Sequence, residues 1–352
     1  MAYTTVNKST DYFNTKLYTG NGGTQSITGV GFQPDLSWIK SRTTTDTHAW
    51  YDAVRGATKR IKSQSYDAET TQSTALTAFA SDGFNIGAGG DVNSNSANYA
   101  SWNWKAGGAG SSNSDGTITS TVSVNTTAGF SIVKYVGTGS GSNSTVGHGL
   151  GVKPGMIIVK NLDSQTNWVV WHKELASETN SYLRLDTNDA PGSTSNYWNS
   201  AAPTTSVFGV SPGGYNNNKD GQNTIAYCFA EKTGYSKFGQ YNGNGNTNGP
   251  VIYTGFKPAF FIHKRIDNTG NWGLFDNKRS PSGGGNTISY NLNPDLNGAE
   301  YQSTSSMNVD FLSNGIKIRE DNGDLNASGG SYIYWAFGQS LVGTNNTPNT
   351  AR

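Results

Sequence analysis

Three prolines divide the chain into copies of one unit. Pro34 lies in GVGFQPDLSWIKSR, Pro154 in GLGVKPGMIIVKNL and Pro258 in YTGFKPAFFIHKRI. A glycine stands three residues before each (Gly31, Gly151, Gly255) and a lysine six residues after (Lys40, Lys160, Lys264). An aromatic follows at seventeen (Tyr51, Trp171, Phe275), then Asp52, His172 or Asp276 at eighteen. Gapless agreement over this span marks an internal repeat, which constrains the fold before any single element does. A Tyr-x-Gly precedes each proline (Tyr18/Gly20, Tyr135/Gly137, Tyr241/Gly243), and FASDGFNI (79–86) matches FLSNGIKI (311–318). Each copy closes on an aromatic run: YASWNWK (99–105), TIAYCFAE (224–231) and YIYWAFGQ (332–339). Trp102, Tyr227 and Trp335 therefore correspond, as do Trp104, Phe229 and Phe337.

These limits place repeats at 12–107, 128–232 and 233–342, after an N-terminal arm at 1–11. The Gly/Ser/Thr-rich stretch 108–127 reads as a flexible or extended linker, and 343–352 as a frayed tail. SIVKYVG, GMIIVKNL, AFFIHKRI and NWVVWHKE are short runs of β-branched and aromatic residues bounded by Gly, Asn and Ser, the pattern of strands. Asp67 to Phe79 is the best helical candidate. The expected fold is all-β: three tandem antiparallel β-sandwich modules of jelly-roll or lectin-like type, each with its own core. The repeated rings are assigned to those cores, and the single Cys228, on a closing strand, reads as a small core or surface residue.

Gly, Asn, Ser and Thr make up nearly half of the 352 residues, which could suit a disordered chain. The 9 Trp, 18 Tyr and 14 Phe argue for a folded one, because large rings bury the most area per residue. With 25 basic against 24 acidic residues, the net charge of +1 speaks against nucleic-acid or anionic-membrane partners. No apolar run approaches the roughly 18 residues of a membrane span, so no membrane insertion is expected. One cysteine excludes an internal disulfide and a cysteine-based zinc site.

Candidate chemistry is sparse. Asp52/Arg55 and Asp276/Arg279 repeat a carboxylate and a guanidinium three residues apart, suited to binding a polar ligand or to closing a local turn. The second copy has His172 and Leu175 there, which speaks against catalysis in every copy. The repeated lysines read as solvated strand ends. No His set has metal-ligand spacing. Asp321 and Asp324, in DNGDLN, are weak calcium candidates that lack the distal Glu of a helical calcium loop. Unrepeated rings among amides and hydroxyls suit saccharides or protein contacts, which singles out Tyr197, Trp198 and Tyr215. No cofactor and no enzymatic activity are expected.

The strings FNTKLYTGNGGTQSITGVGFQPDLSWIKSR, DAVRG and SDGFNIG…NYASWNWKAGG, with FDNKR and YIYWAFG in the third repeat, resemble a module of structural proteins of tailed bacteriophages, notably of marine and cyanobacterial hosts. The resemblance spans about residues 12–342 and is looser in the second repeat. It implies lectin-like (concanavalin/SPRY-type) sandwiches in a virion-surface protein of the tail fibre, tail tip or adhesin kind. Its expected partners are other virion proteins and a host-surface glycan or receptor. By analogy with fibre proteins it implies a homo-oligomer, a trimer. Three linked weak sites would also bind with avidity. Alternatives are a capsid decoration or tail-assembly protein and, further off, a polysaccharide depolymerase.

Overall fold

Strands form where this sequence alternates β-branched or aromatic residues with small polar ones, and turns where Gly and Asn cluster. The computed structural model describes residues 3–139, 144–279, 287–302 and 307–342, and its sheets are antiparallel. Helix among the described residues is confined to single turns at Ser9–Asp11, Gly90–Asn93 and Gly323–Asn326. The helical candidate at 67–79 instead supplies strand Thr70–Thr71 and most of Leu76–Ala80. Its threonines, stiff at χ1, fit a pleated surface better than a helix.

One four-strand arrangement recurs. The first repeat has β1 (Phe13–Thr19), β2 (Leu36–Ser41), β3 (His48–Asp52) and β4 (Asn98–Trp104), ordered β1-β4-β2-β3. The second has β5 (Phe130–Val136), β6 (Met156–Asn161), β7 (Val169–His172) and β8 (Asn223–Phe229), ordered β5-β8-β6-β7. The third has β9 (Ser236–Asn242), β10 (Lys257–Arg265), β11 (Gly273–Asp276) and β12 (Ser331–Gln339), ordered β9-β12-β10-β11. Register repeats too. Leu36 pairs with Trp104 and Asp52, Met156 with Phe229 and His172, and Phe260 with Phe337 and Asp276.

The repeated glycines have physical causes. Gly31, Gly151 and Gly255 turn the chain at φ of 93°, 71° and 82°, a region other residues enter at a cost. In Tyr-x-Gly, the phenols of Tyr18, Tyr135 and Tyr241 donate to the carbonyls of Val92, Asn217 and Leu325 at 2.7, 2.6 and 2.8 Å. The next residue in each case, Asn93, Asn218 or Asn326, is buried, and its Oδ1 accepts the N–H of Asn21, Thr138 or Asn244. A Cβ on Gly20, Gly137 or Gly243 would lie 2.2, 2.2 or 2.3 Å from a carbonyl oxygen of this knot.

Residues 108–127 differ from the flexible linker expected of them. Ser111–Asn113 and Ser120–Asn125 extend the second sheet outward from β5. Val122 and Val124, alternating with serines, turn one face of that segment into the second repeat's core. The arm, from residue 3, lies on the third repeat of the same chain. Tyr3 Oη donates to Gly255 O at 3.0 Å, and Ser9 N donates to Gln339 Oε1 at 2.9 Å. The tail at 343–352 lies outside the described residues.

Successive side chains in a strand point to opposite faces, and each large sheet buries both. Outward faces pack under smaller sheets in three separate clusters, around Tyr51 and Phe84, Trp171 and Phe208, and Phe275 and Phe311. Inward faces meet in a fourth cluster drawn from all three repeats, including Trp38, Trp50 and Trp102, Ile158 and Tyr227, and Phe260 and Trp335. Each repeat thus has an outer cluster of its own, but the fourth cluster is shared, which three self-contained beads would not do. Near the middle of the shared cluster the equivalent rings Trp104, Phe229 and Phe337 form a triangle. Its centroid distances are 6.2, 5.8 and 5.9 Å, all edge-to-face. That geometry suits the ring quadrupoles and adds about 0.5–1.5 kcal/mol per pair to the area buried.

A shared core couples the repeats. Calorimetry should show one unfolding transition whose van't Hoff and calorimetric enthalpies agree, where three independent modules would give separable transitions. Phe229→Ala should lower the stability of that single transition by roughly 3–5 kcal/mol without splitting it.

Candidate functional site

The residue eighteen after each proline sits on the inward face, beside the shared core. Asp52 and Asp276 are fully buried, and each is held by its own repeat and by a neighbour. Asp52 Oδ1 accepts the N–H groups of Val54 and Arg55 at 3.1 and 2.9 Å, and Oδ2 accepts Arg55 Nε at 2.5 Å. The same Oδ2 accepts the phenol of Tyr227, from the second repeat, at 2.7 Å. Asp276 repeats this with Lys278 N, Arg279 N and Arg279 Nε at 2.9, 3.0 and 2.5 Å. It takes its outside donor, Trp102 Nε1 at 3.0 Å, from the first repeat. Trp102 and Tyr227 are equivalent positions, so one device staples the second repeat to the first and the first to the third. Each guanidinium is also held elsewhere: Arg55 reaches Glu69 and the carbonyls of Trp50 and Lys59, and Arg279 reaches Glu300 and Leu274 O. Of the two readings open from sequence, the local ion pair is the one these buried contacts fit.

At the remaining seam the device changes. His172 Nε2 lies 3.2 Å from Tyr334 O, and its Nδ1 accepts Glu174 N at 3.2 Å. These partners select the Nε2–H tautomer, and burial pushes the imidazole pKa down to about 3, so the ring is neutral. Trp335 Nε1, the counterpart of the Trp102 donor, is buried without a hydrogen-bond partner among the described residues. Further contacts close the ring of repeats. Trp168 Nε1 donates to Lys62 O at 2.9 Å, Trp272 Nε1 to Arg184 O at 2.9 Å, and Ser63 Oγ to Pro294 O at 2.8 Å. Trp168 and Trp272 stand fourteen residues after their prolines, an offset the sequence reading passed over.

The lysines expected at solvated strand ends are instead buried, each 0% exposed. They lie on the inward face, where backbone carbonyls replace water. Lys40 Nζ donates to Ser41 O, Lys160 Nζ to Tyr66 O and Thr166 O, and Lys264 Nζ to Arg265 O and Asn188 O. Two of the three thus reach the preceding repeat. Burial brings each ammonium down to about 8, against the pull of carboxylates such as Asp186 and Asp67 near Lys160.

The loop rings divide. Trp198 is 0% exposed and donates Nε1 to Ser181 O at 2.9 Å, and Tyr197 is buried in the same outer cluster. Being unrepeated did not make them surface residues, because the 194–201 loop folds over the second repeat's core. Tyr215 is 47% exposed. Its ring meets Tyr197 edge-on at 5.9 Å, and Tyr197 meets Tyr182 at 4.6 Å. Arg184 lies over the Tyr182 ring at 5.8 Å and pairs with Asp189 at 3.1 Å. An exposed ring, a guanidinium and a carboxylate therefore converge at one surface. Tyr182 and Arg184, in the short strand SYLR, carried no sequence signal beyond an aromatic next to turn residues.

Asp321 and Asp324 belong to the third Tyr-x-Gly knot. Asn322 Oδ1 caps the single turn by accepting Asp324 N at 2.8 Å, and Asn326 Nδ2 donates to Glu320 O and Asn246 O. The loop's amides are thus satisfied internally, as at Asn93 in the first repeat. Among the described residues no three or more His, Cys, Asp or Glu side chains are grouped to hold a metal ion. No helix among them is long and apolar enough to cross a membrane.

These features define an all-β protein of three internal repeats closed around one core by buried, cross-repeat hydrogen bonds. The chain belongs to the DUF7483 family, a domain of unknown function, which matches residues 8–340. No curated protein gave a match to the sequence.

If the staples are structural, Asp52→Asn should cost about 3–5 kcal/mol in chemical denaturation, because it leaves Arg55 buried without its charge partner. Tyr227→Phe should cost about 1.5–3 kcal/mol, the value of one hydrogen bond to a charged group. Unchanged stability in both would return these residues to the ligand-binding reading. The lysines make a separate prediction. Their folded pKa of about 8 lies below the unfolded value of about 10.4, so the unfolded chain binds more protons between these limits and stability rises with pH there. Wild type should therefore gain on Lys160→Met by up to about 1.4 kcal/mol per pH unit between pH 8 and 10. A pH-independent difference would contradict burial of the ammonium.

Proposed function

We propose that this protein is a non-enzymatic structural component of a bacteriophage virion, a tail-fibre or tail-tip protein that recognises a host-surface glycan. The observation that carries the recognition role is the Tyr215 surface. A half-exposed ring offers a face for a sugar ring, while Arg184 and Asp189 offer donors and acceptors to its hydroxyls. The near-neutral charge agrees with recognition by rings and hydrogen bonds rather than by a field. The phage resemblance of the repeats supplies the virion setting. On this reading each large sheet with its smaller partner is a lectin-like sandwich, and the molecule acts as a homo-oligomer, a trimer by analogy, at the virion surface. The non-enzymatic reading is supported by Asp52 and Asp276, the carboxylates that recur, both being tied up in staples. A capsid-decoration or tail-assembly role is the second reading, favoured by an uncovered sheet edge in the third repeat.

Retention on immobilised host envelope polysaccharide tests the first reading. Tyr215→Ala should weaken it on the order of tenfold, equivalent to about 1.4 kcal/mol, while leaving the melting temperature unchanged. Absence of retention by the wild-type protein, or retention indifferent to Tyr215 and Arg184, would remove the recognition role. Immunogold labelling of particles separates tail from capsid.

A further inference from the structure

An uncovered sheet edge presents unpaired N–H and C=O groups to any strand that can reach it. In the second repeat two such edges, β5 and Thr145–Gly147, are covered by the chain itself. Ser120–Asn125 pairs along β5 from Ser120 opposite Tyr135 to Asn125 opposite Phe130, and Ile118 bridges to Val146. Val122 drops between the edges into the outer cluster, opposite Val133.

The corresponding edges of the third repeat are β9 and Val251–Tyr253, each the last strand of its sheet among the described residues. Between them runs a groove of about 530 Å³, lined by Gly239, Tyr241, Ile252, Tyr253 and Tyr334 among others. Gly239 pairs with Tyr334 as Val133 pairs with Ala226, so Gly239 stands where the second repeat has Val133. Without a side chain there, the Tyr334 side chain lies over Gly239 and floors the groove, its hydroxyl 2.8 Å and its ring 2.9 Å from where a Gly239 Cβ would be. Val251 and Tyr253 are 59% and 60% exposed, on an edge without the charged residues that usually guard one. Lys237 Nζ donates to Tyr253 O at 3.0 Å and bridges the groove with one flexible side chain. The rim charges, Lys173, Glu174, Glu231 and Lys237, balance.

We propose that this groove receives an extended segment of a neighbouring polypeptide chain, adding it to β9 as Ser120–Asn125 is added to β5. Main-chain hydrogen bonds to β9 would supply affinity. Alternate small or β-branched side chains packing on the Tyr334 ring above Gly239 would supply specificity. Balanced rim charge selects an uncharged Ser/Thr/Val-type strand, the chemistry of ITSTVSVN at 118–125. This docking does not depend on the glycan reading.

The test uses the full chain and a synthetic peptide GTITSTVSVNTT, the sequence of residues 116–127, with amide hydrogen exchange as the readout. The expected result is saturable slowing, on the order of tenfold, confined to 236–242 and 251–253. Val251→Asp with Tyr253→Asp, both at exposed positions, should abolish the slowing at unchanged melting temperature. A peptide with proline at alternate positions should give none. No slowing at millimolar peptide, or slowing only at 130–136 where the peptide displaces the chain's own strand, would overturn the proposal. So would protection of these strands by oligosaccharide but not by peptide.

Discussion

Everything in this molecule is arranged around three rings meeting edge to face. Trp104, Phe229 and Phe337 come from the same position of three repeats, within about 6 Å of one another. Bringing three sheets to that distance buries the whole inward face of each. Strand periodicity then dictates what else goes inside. The aspartate or histidine two residues beyond an inward residue of β3, β7 or β11 is carried in with it. So is the lysine of β2, β6 and β10. Burying a charge unpaired costs several kcal/mol, so each needs a partner, which for most of them lies at the seam. The staples and the carbonyl-capped lysines are consequences of closing the ring.

The three seams are not interchangeable. Two use a carboxylate that is shared between its own arginine and the neighbour's ring donor. The third uses neutral His172 against a backbone carbonyl and leaves Trp335 Nε1 unsatisfied. Buried ion pairs add little net stability over an apolar substitute, but mispairing them leaves a charge stranded. A chain of three similar units risks joining in the wrong order or with another copy. Dissimilar seams penalise those arrangements, because moving His172 to a seam built for an aspartate would leave an arginine without its counter-charge.

Much of this was legible in the sequence. The proline offsets located β2, β6 and β10, and the glycines before them proved to be left-handed turns. The assignment of the repeated rings to cores also held. What sequence could not show was what an inward face packs against. Alternation in LSWIKS or MIIVKN says that a face is buried, not whether a small sheet or two sister repeats bury it. Lys40, Lys160 and Lys264 were misplaced for that reason, since lysine is seldom buried and nothing local says otherwise. Residues 108–127 were misread because Gly and Ser content hid the alternating valines. Of the three unrepeated loop rings, Tyr215 alone is exposed, and Tyr197 lies buried beneath it. Trp198 was not separable from them, because a loop ring and a core ring share the same flanking residues.

The division between repeated and unrepeated residues bears on where recognition can reside. Avidity requires several copies of one surface site, and the rings and charges at the repeated positions lie inside, committed to clusters, knots and staples. Three similar units therefore do not imply three similar sites. Differences between the repeats have a freer hand: the Tyr182–Tyr197–Tyr215 surface arises from loops of the second repeat, and among the described residues the β9 edge is open because only the second repeat carries an added strand segment. Threefold repetition here builds the scaffold, and on the proposed reading specificity falls to the places where the repetition fails.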